Sequence, residues 1–138
     1  MPSLKLAVAV VVALLLAFAG VTWAALEASD VAVLETRGAD GGVRRTRVWF
    51  AEHDGALWLE APTPEREWLL DVQISPRVGL ERGDSPEIFE AVPVTGGDGH
   101  EQIRTLLRAK YGWRDWWVGL LQDTSHSVAV RLVPPAAG

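Results

Sequence analysis

Residues 6–26 form an unbroken apolar run with no charged side chain. As a helix, such a run spans about 31 Å, close to the hydrocarbon thickness of a bilayer. Trp23 lies near its far end, where an interfacial aromatic is expected. Residues 1–28 therefore read as an N-terminal membrane anchor. The competing reading is a cleaved signal peptide, with Lys5 as a short positive region and Ala17-Phe18-Ala19 as the cleavage site. The run continues past Ala19 without a polar break, which favours the single-pass anchor. Lys5 precedes the helix while Glu27 and Asp30 follow it. That charge bias places the rest of the chain outside the cytoplasm.

Beyond residue 30 the pattern changes from continuous to alternating. Residues 31–35 read as a strand, and Ala39-Asp40-Gly41-Gly42 as a turn. Residues 43–52 form a second strand. One of its faces carries Val43, Arg45, Arg47 and Trp49; the other carries Arg44, Thr46, Val48 and Phe50. Asp54-Gly55 is a two-residue hairpin signal leading into a third strand at 56–61. Thr63 suits a helix N-cap and Pro64 the first helical position, so a helix is predicted over 64–75 with Trp68, Leu69 and Val72 as its stripe. Strands follow at 77–82 and 87–94. Asp98 with Glu101 resembles a capping box for a helix reaching Lys110. Gly112 breaks it, a second helical stretch runs over 113–122, and a last strand over 126–133. Six short, mostly antiparallel strands with few helices predict a mostly β (α+β) fold. It is a small β-barrel with outer helices over residues 31–134, followed by a tail at 135–138.

Length and charge narrow the function. After the apolar segment about 110 residues remain, enough for one compact core and too few for two. The net charge of −5 gives no global positive field for nucleic acid. With no cysteine, disulfides, thiolate metal sites and a cysteine nucleophile are excluded. His53, His100 and His126 have neither metal-ligand spacing nor a Ser-His-acid arrangement, so no metal site and no catalytic triad is assigned.

Two clusters hold candidate chemistry. Arg44, Arg45 and Arg47 fall on a strand close to the start of the helix predicted at 64–75. Guanidinium forks beside free helix N–H groups make an anion site; the plain alternative is a solvated strand that discourages edge pairing. Trp113, Trp116 and Trp117 share one helical face with Leu120 and Leu121. That face either packs on the barrel, meets a membrane, or walls an aromatic pocket.

Four stretches in this order carry a family resemblance: LETRGADGG, RRTRVWFAEHDGALWLEAP, EREWLLDVQISPRVGLE, and LLRAKYGWRDWW before a closing VAVRLVP. The pattern resembles the split β-barrel flavin and deazaflavin oxidoreductases, in particular the deazaflavin-dependent nitroreductases related to pyridoxamine phosphate oxidase. The resemblance implies a coenzyme in a groove on the barrel, a deazaflavin with FMN as the alternative. It implies hydride delivery to a quinone-like or nitroaromatic acceptor, with the coenzyme carrying the chemistry. By position, Arg44, Thr46, Arg47, Trp49, Ala61, Pro62 and Thr63 match the coenzyme side, and Tyr111, Trp113 and Trp116 the substrate side. The family turn usually holds a Gly-Arg-Lys-Ser-Gly run, whereas residues 38–42 carry no cation, so Arg45, Arg47 or Arg66 is the expected substitute. The partners implied are the membrane and a small-molecule acceptor, with a possible homodimer. The second reading is a non-enzymatic module of the same fold that binds a hydrophobic or haem-like ligand or a protein partner.

Overall fold

The computed structural model describes residues 2–26 and 30–135. The acidic flank at Glu27 and the end of the expected tail lie outside the described residues. Helix α1 (Pro2–Leu26) comes first. Within it Ser3–Ala25 is long and apolar enough to cross a membrane. Six antiparallel strands follow and close into a barrel: β1 (Val31–Arg37), β2 (Val43–His53), β3 (Ala56–Ala61), β4 (Arg77–Glu81), β5 (Pro86–Val94) and β6 (Val128–Val133). Their order around the barrel is β1-β2-β3-β6-β5-β4, with β1 pairing back onto β4. Helix α2 (Glu67–Ile74) lies between β3 and β4 in the chain, and α3 (Gly97–Tyr111) and α4 (Trp113–Leu121) lie between β5 and β6.

Local chemistry accounts for the β2–β3 hairpin. Asp54 and Gly55 both have positive φ, 52° and 73°, as the favoured two-residue hairpin turn demands. The turn sets the register His53↔Ala56 through Phe50↔Leu59. Alternation then sorts the side chains of β2. Val48 and Phe50 join the barrel interior with Ala32, Leu34, Leu59, Leu80, Val130 and Leu132. Ala51 and Trp49 turn outward and pack with Trp58, Ile103, Leu107 and Tyr111 beneath α3.

One mouth of the barrel is plugged by α2, whose Trp68, Leu69 and Val72 enter the interior cluster. This helix starts at Glu67 with Arg66 as an extended N-cap residue, not at Pro64 with Thr63 as cap. Arg66 N donates to Thr63 O, so Thr63 to Arg66 form a turn that carries the chain across the mouth before the helix begins. The burial of Trp68, Leu69 and Val72 sets the helix phase and overrides the local Thr-Pro signal. The Asp98 capping box is corrected too. Helix α3 begins at Gly97, with Gly96 at φ 102° as N-cap and no side-chain cap bond. Asp98 still lies in the first turn, where its charge favours the positive end of the helix dipole. Gly99 lets α3 approach β5: a Cβ there would sit 2.5 Å from Val94 O. The last strand starts at Val128 because residues 124–127 close a turn, with Ser127 N donating to Thr124 O at 3.1 Å.

Candidate functional site

Alternation sends Arg44 towards the mouth that α2 covers. There its Nε donates to Asp71 Oδ2 at 2.8 Å, and Nη1 pairs with Glu67 of the same helix. Thr36 Oγ1 donates to that same Asp71 oxygen at 2.7 Å. Asp71 and Thr36 are buried, so Arg44 acts as a strut joining β2 to α2. The hydrogen bond to Asp71 raises the guanidinium pKa above its ordinary value. Arg45, on the outer face, is shared between Glu35 of β1 at 3.2 Å and Glu81 of β4 at 3.0 Å. Arg47, two residues further along the same face as Arg45, lines a cavity.

That cavity has a volume of about 260 Å³ and is half open to solvent. Thr46, Arg47 and Trp49 of β2 line one side, Pro62, Arg66 and Trp68 the mouth side, and Val118 and Gly119 of α4 with its C-cap Gln122 the far wall. Trp49 is held flat by Tyr111, whose ring stacks on it at 4.2 Å and 11°. The Tyr111 hydroxyl donates to Asp30 O at 2.7 Å and accepts from Phe50 N at 3.1 Å. Burial pushes this phenol up to about 12. Tyr111 thus supports the wall from behind through its stacking on Trp49.

A second buried polar feature is a charge cluster that the sequence pattern did not isolate. Arg104 of α3 donates through Nη1 to Glu60 Oε1 at 2.7 Å and through Nη2 to both Asp115 oxygens, at 2.5 and 2.6 Å. The side chains are only 14, 8 and 5 % exposed for Arg104, Glu60 and Asp115. Burial works against the Arg104 charge, but hydrogen bonds to Glu60 and Asp115 outweigh it and raise its pKa. Two carboxylates share one guanidinium, so the cluster carries about one net negative charge, with Arg47 and Arg66 also lining the cavity. The available sequence signal was Asp115 itself, a lone acid inside WRDWW on an apolar helix.

Of the sequence-derived coenzyme-side residues, Thr46, Arg47, Trp49 and Pro62 come together at the cavity. Arg44 is engaged at the α2 plug, Ala61 is buried in the barrel core, and Thr63 sits in the turn before α2. On the substrate side Tyr111 is buried, while Trp113 and Trp116 are 49 and 64 % exposed and do not line the cavity.

Solved structures share this fold. A conserved hypothetical protein of Mycobacterium tuberculosis is 24 % identical, with a TM-score of 0.60 over 78 % of this chain and 74 % of its own. A putative pyridoxamine 5'-phosphate oxidase of Listeria innocua is 23 % identical, with a TM-score of 0.57 over 82 % and 90 %. An F420-H2 dependent reductase is 17 % identical, with a TM-score of 0.56 over 75 % and 94 %. No curated protein matches the chain. The family model for F420H(2)-dependent quinone reductase matches residues 9–130, nearly the whole length from the apolar helix to the last strand, and the chain belongs to that family.

Proposed function

We propose that this chain is a membrane-anchored oxidoreductase that binds a deazaflavin coenzyme in the cavity between β2 and α4 and reduces a quinone-like acceptor. Family membership supports a deazaflavin-dependent oxidoreductase. The observation that carries the reading to particular residues is the half-open cavity with Trp49 as its wall and Arg47 and Arg66 in its lining. Its volume of about 260 Å³ is just under that of ordinary ligand sites, roughly 300–1,000 Å³. It admits a flat ring system and leaves a phosphorylated tail along the open side. Guanidinium groups suit that tail because their forks bind phosphate oxygens bidentately. Among the described residues no histidine lines the cavity, so a haem-like ligand lacks an imidazole there.

When bound, the coenzyme supplies hydride to the acceptor. The protein's part is binding, orientation and exclusion of water. Trp49, stacked on Tyr111, offers a rigid apolar surface to the ring. Arg104 holds Glu60 and Asp115, and so fixes the α3–α4 wall against β3. Arg44 positions the phosphate end indirectly, by pinning α2 and with it Arg66. Residues 3–25 hold the domain at the membrane, where quinones dissolve. Homodimer formation belongs to the same reading and is checked by light scattering in detergent.

The test uses the full chain in detergent, titrated with reduced deazaflavin coenzyme and separately with FMN, read by fluorescence quenching. One charge-assisted contact is worth roughly 1.5–3 kcal/mol, so Arg47→Ala is expected to weaken binding about 10- to 150-fold. Oxidation of the bound coenzyme by a naphthoquinone then tests turnover. Wild-type protein that binds neither coenzyme at high micromolar concentration ends the enzymatic reading.

A further inference from the structure

Helix α4 has two chemically distinct faces. Asp115, Val118, Gly119 and Gln122 line the cavity, and Asp115 is buried against Arg104. The opposite face carries Trp113, Trp116, Leu120 and Leu121, exposed by 49, 64, 62 and 49 %. Four large apolar side chains on one outward face are more than a soluble surface normally shows, and such patches mark interaction sites. In the middle of that apolar face, Trp117 joins α4 to α1. Its ring lies 5.5 Å from that of Phe18, and its Nε1 donates to Thr22 Oγ1 at 3.0 Å.

Those contacts say what covers the face. Phe18 and Thr22 lie inside the segment Ser3–Ala25, the span long and apolar enough to cross a membrane. Phe18 sits eight residues before the helix end at Leu26, about 12 Å along the axis. A 23-residue span is about 35 Å long, roughly 5 Å more than the hydrocarbon core. An element touching both Phe18 and Thr22 therefore lies among the upper acyl chains, just beneath the headgroups. Tryptophan is enriched at that depth because its ring is apolar and its N–H is polar. Arg114, whose guanidinium lies 4.8 Å from the Trp113 ring centre, is of a type that extends from the upper acyl chains towards the phosphates above.

We propose that α4 is an interfacial helix: Trp113, Trp116, Leu120 and Leu121 lie in the lipid bilayer beside the turn of α1 that holds Phe18 and Thr22. This rests on the anchor reading given above and goes beyond it, because the domain then touches the bilayer through a second element. The cavity follows from the same geometry. Its far wall is the other face of α4, so it sits one helix thickness from the lipid phase.

The chain has no cysteine, so single labels can be placed without background. Trp116→Cys and Leu120→Cys alter exposed side chains and should fold normally. Arg37→Cys, at the end of β1 away from α1, is about 20 Å further along the strand and serves as the aqueous control. Each full-length variant is spin-labelled and reconstituted into phosphatidylcholine–phosphatidylglycerol vesicles. Relaxation by oxygen, which concentrates in lipid, is compared with relaxation by a water-soluble nickel chelate. The expected result is oxygen-dominated relaxation at positions 116 and 120 and nickel-dominated relaxation at 37. Protein that floats with the vesicles while its 120 label is nickel-accessible overturns the proposal but leaves the anchor intact. Protein that fails to float removes both. Labels at 116 and 120 shielded from both reagents, with dipolar broadening between copies, assign the face to a second copy of this chain and also overturn it.

Discussion

Replacing Arg104 by methionine tests the cluster that ties α3 and α4 to β3. The substitution preserves much of the side-chain bulk and removes the guanidinium paired with Glu60 and Asp115. Those carboxylates are 8 and 5 % exposed, so solvent cannot replace the lost partner. Breaking a buried ion pair from one side costs about 3–5 kcal/mol, against about 0–1 kcal/mol for an exposed one. At about 4 °C per kcal/mol for a domain of this size, the melting temperature should fall by about 12–20 °C. Circular dichroism melting of the full chain in detergent reads this directly. The pH dependence gives a second sign. Stranded buried carboxylates are relieved by taking up protons, so the folded variant binds more protons than its unfolded chain. Its deficit relative to wild type should therefore shrink as pH falls from about 7 towards about 4. The triple variant Arg104→Met/Glu60→Gln/Asp115→Asn should recover most of the loss, since no charge is then buried. A single-variant loss of under about 1 kcal/mol would place the cluster on the exposed scale and refute the argument. So would a deficit that grows on acidification.

Tyr111 is the only tyrosine, so absorbance near 295 nm titrates it alone. Its folded pKa of about 12 lies above the unfolded value near 10. The stability it contributes is therefore complete below about pH 10 and is lost as pH rises through about 12. A phenol that ionises near pH 10 while circular dichroism still reports a folded chain would contradict its burial beneath Trp49. Gly99→Ala should destabilise by about 1–3 kcal/mol, because a Cβ 2.5 Å from Val94 O forces α3 away from β5. An unchanged melting temperature would show that α3 does not need that approach.

Much of this molecule is legible from local pattern because the physics there is local. Asp54-Gly55 selects its hairpin turn through backbone dihedral preferences alone, and the turn then sets the β2–β3 register. Period-two alternation separates Val48 and Phe50 from Trp49 and Ala51, and the two core clusters divide along the same line. The 113/116/117/120/121 spacing defines one face of α4 whatever it later touches. The uninterrupted apolar run of α1 needs nothing beyond composition.

Other properties depend on residues far apart in sequence, which no local rule can pair. Arg44 was readable as a strand arginine beside a helix; only packing shows that Asp71, 27 residues away, takes its charge. Arg104, Glu60 and Asp115 meet across separations of 44 and 11 residues, and the lone acid Asp115 on an apolar helix does not by itself name its partners. Helix α2 begins three residues later than its Thr-Pro signal because burying Trp68, Leu69 and Val72 in the barrel mouth outweighs a capping preference of about 1 kcal/mol. The face of α4 was legible, but not which side of it would be covered. That was decided by the seating of α4 against α1 on one side and against the cavity and Arg104 on the other, contacts between segments far apart in sequence.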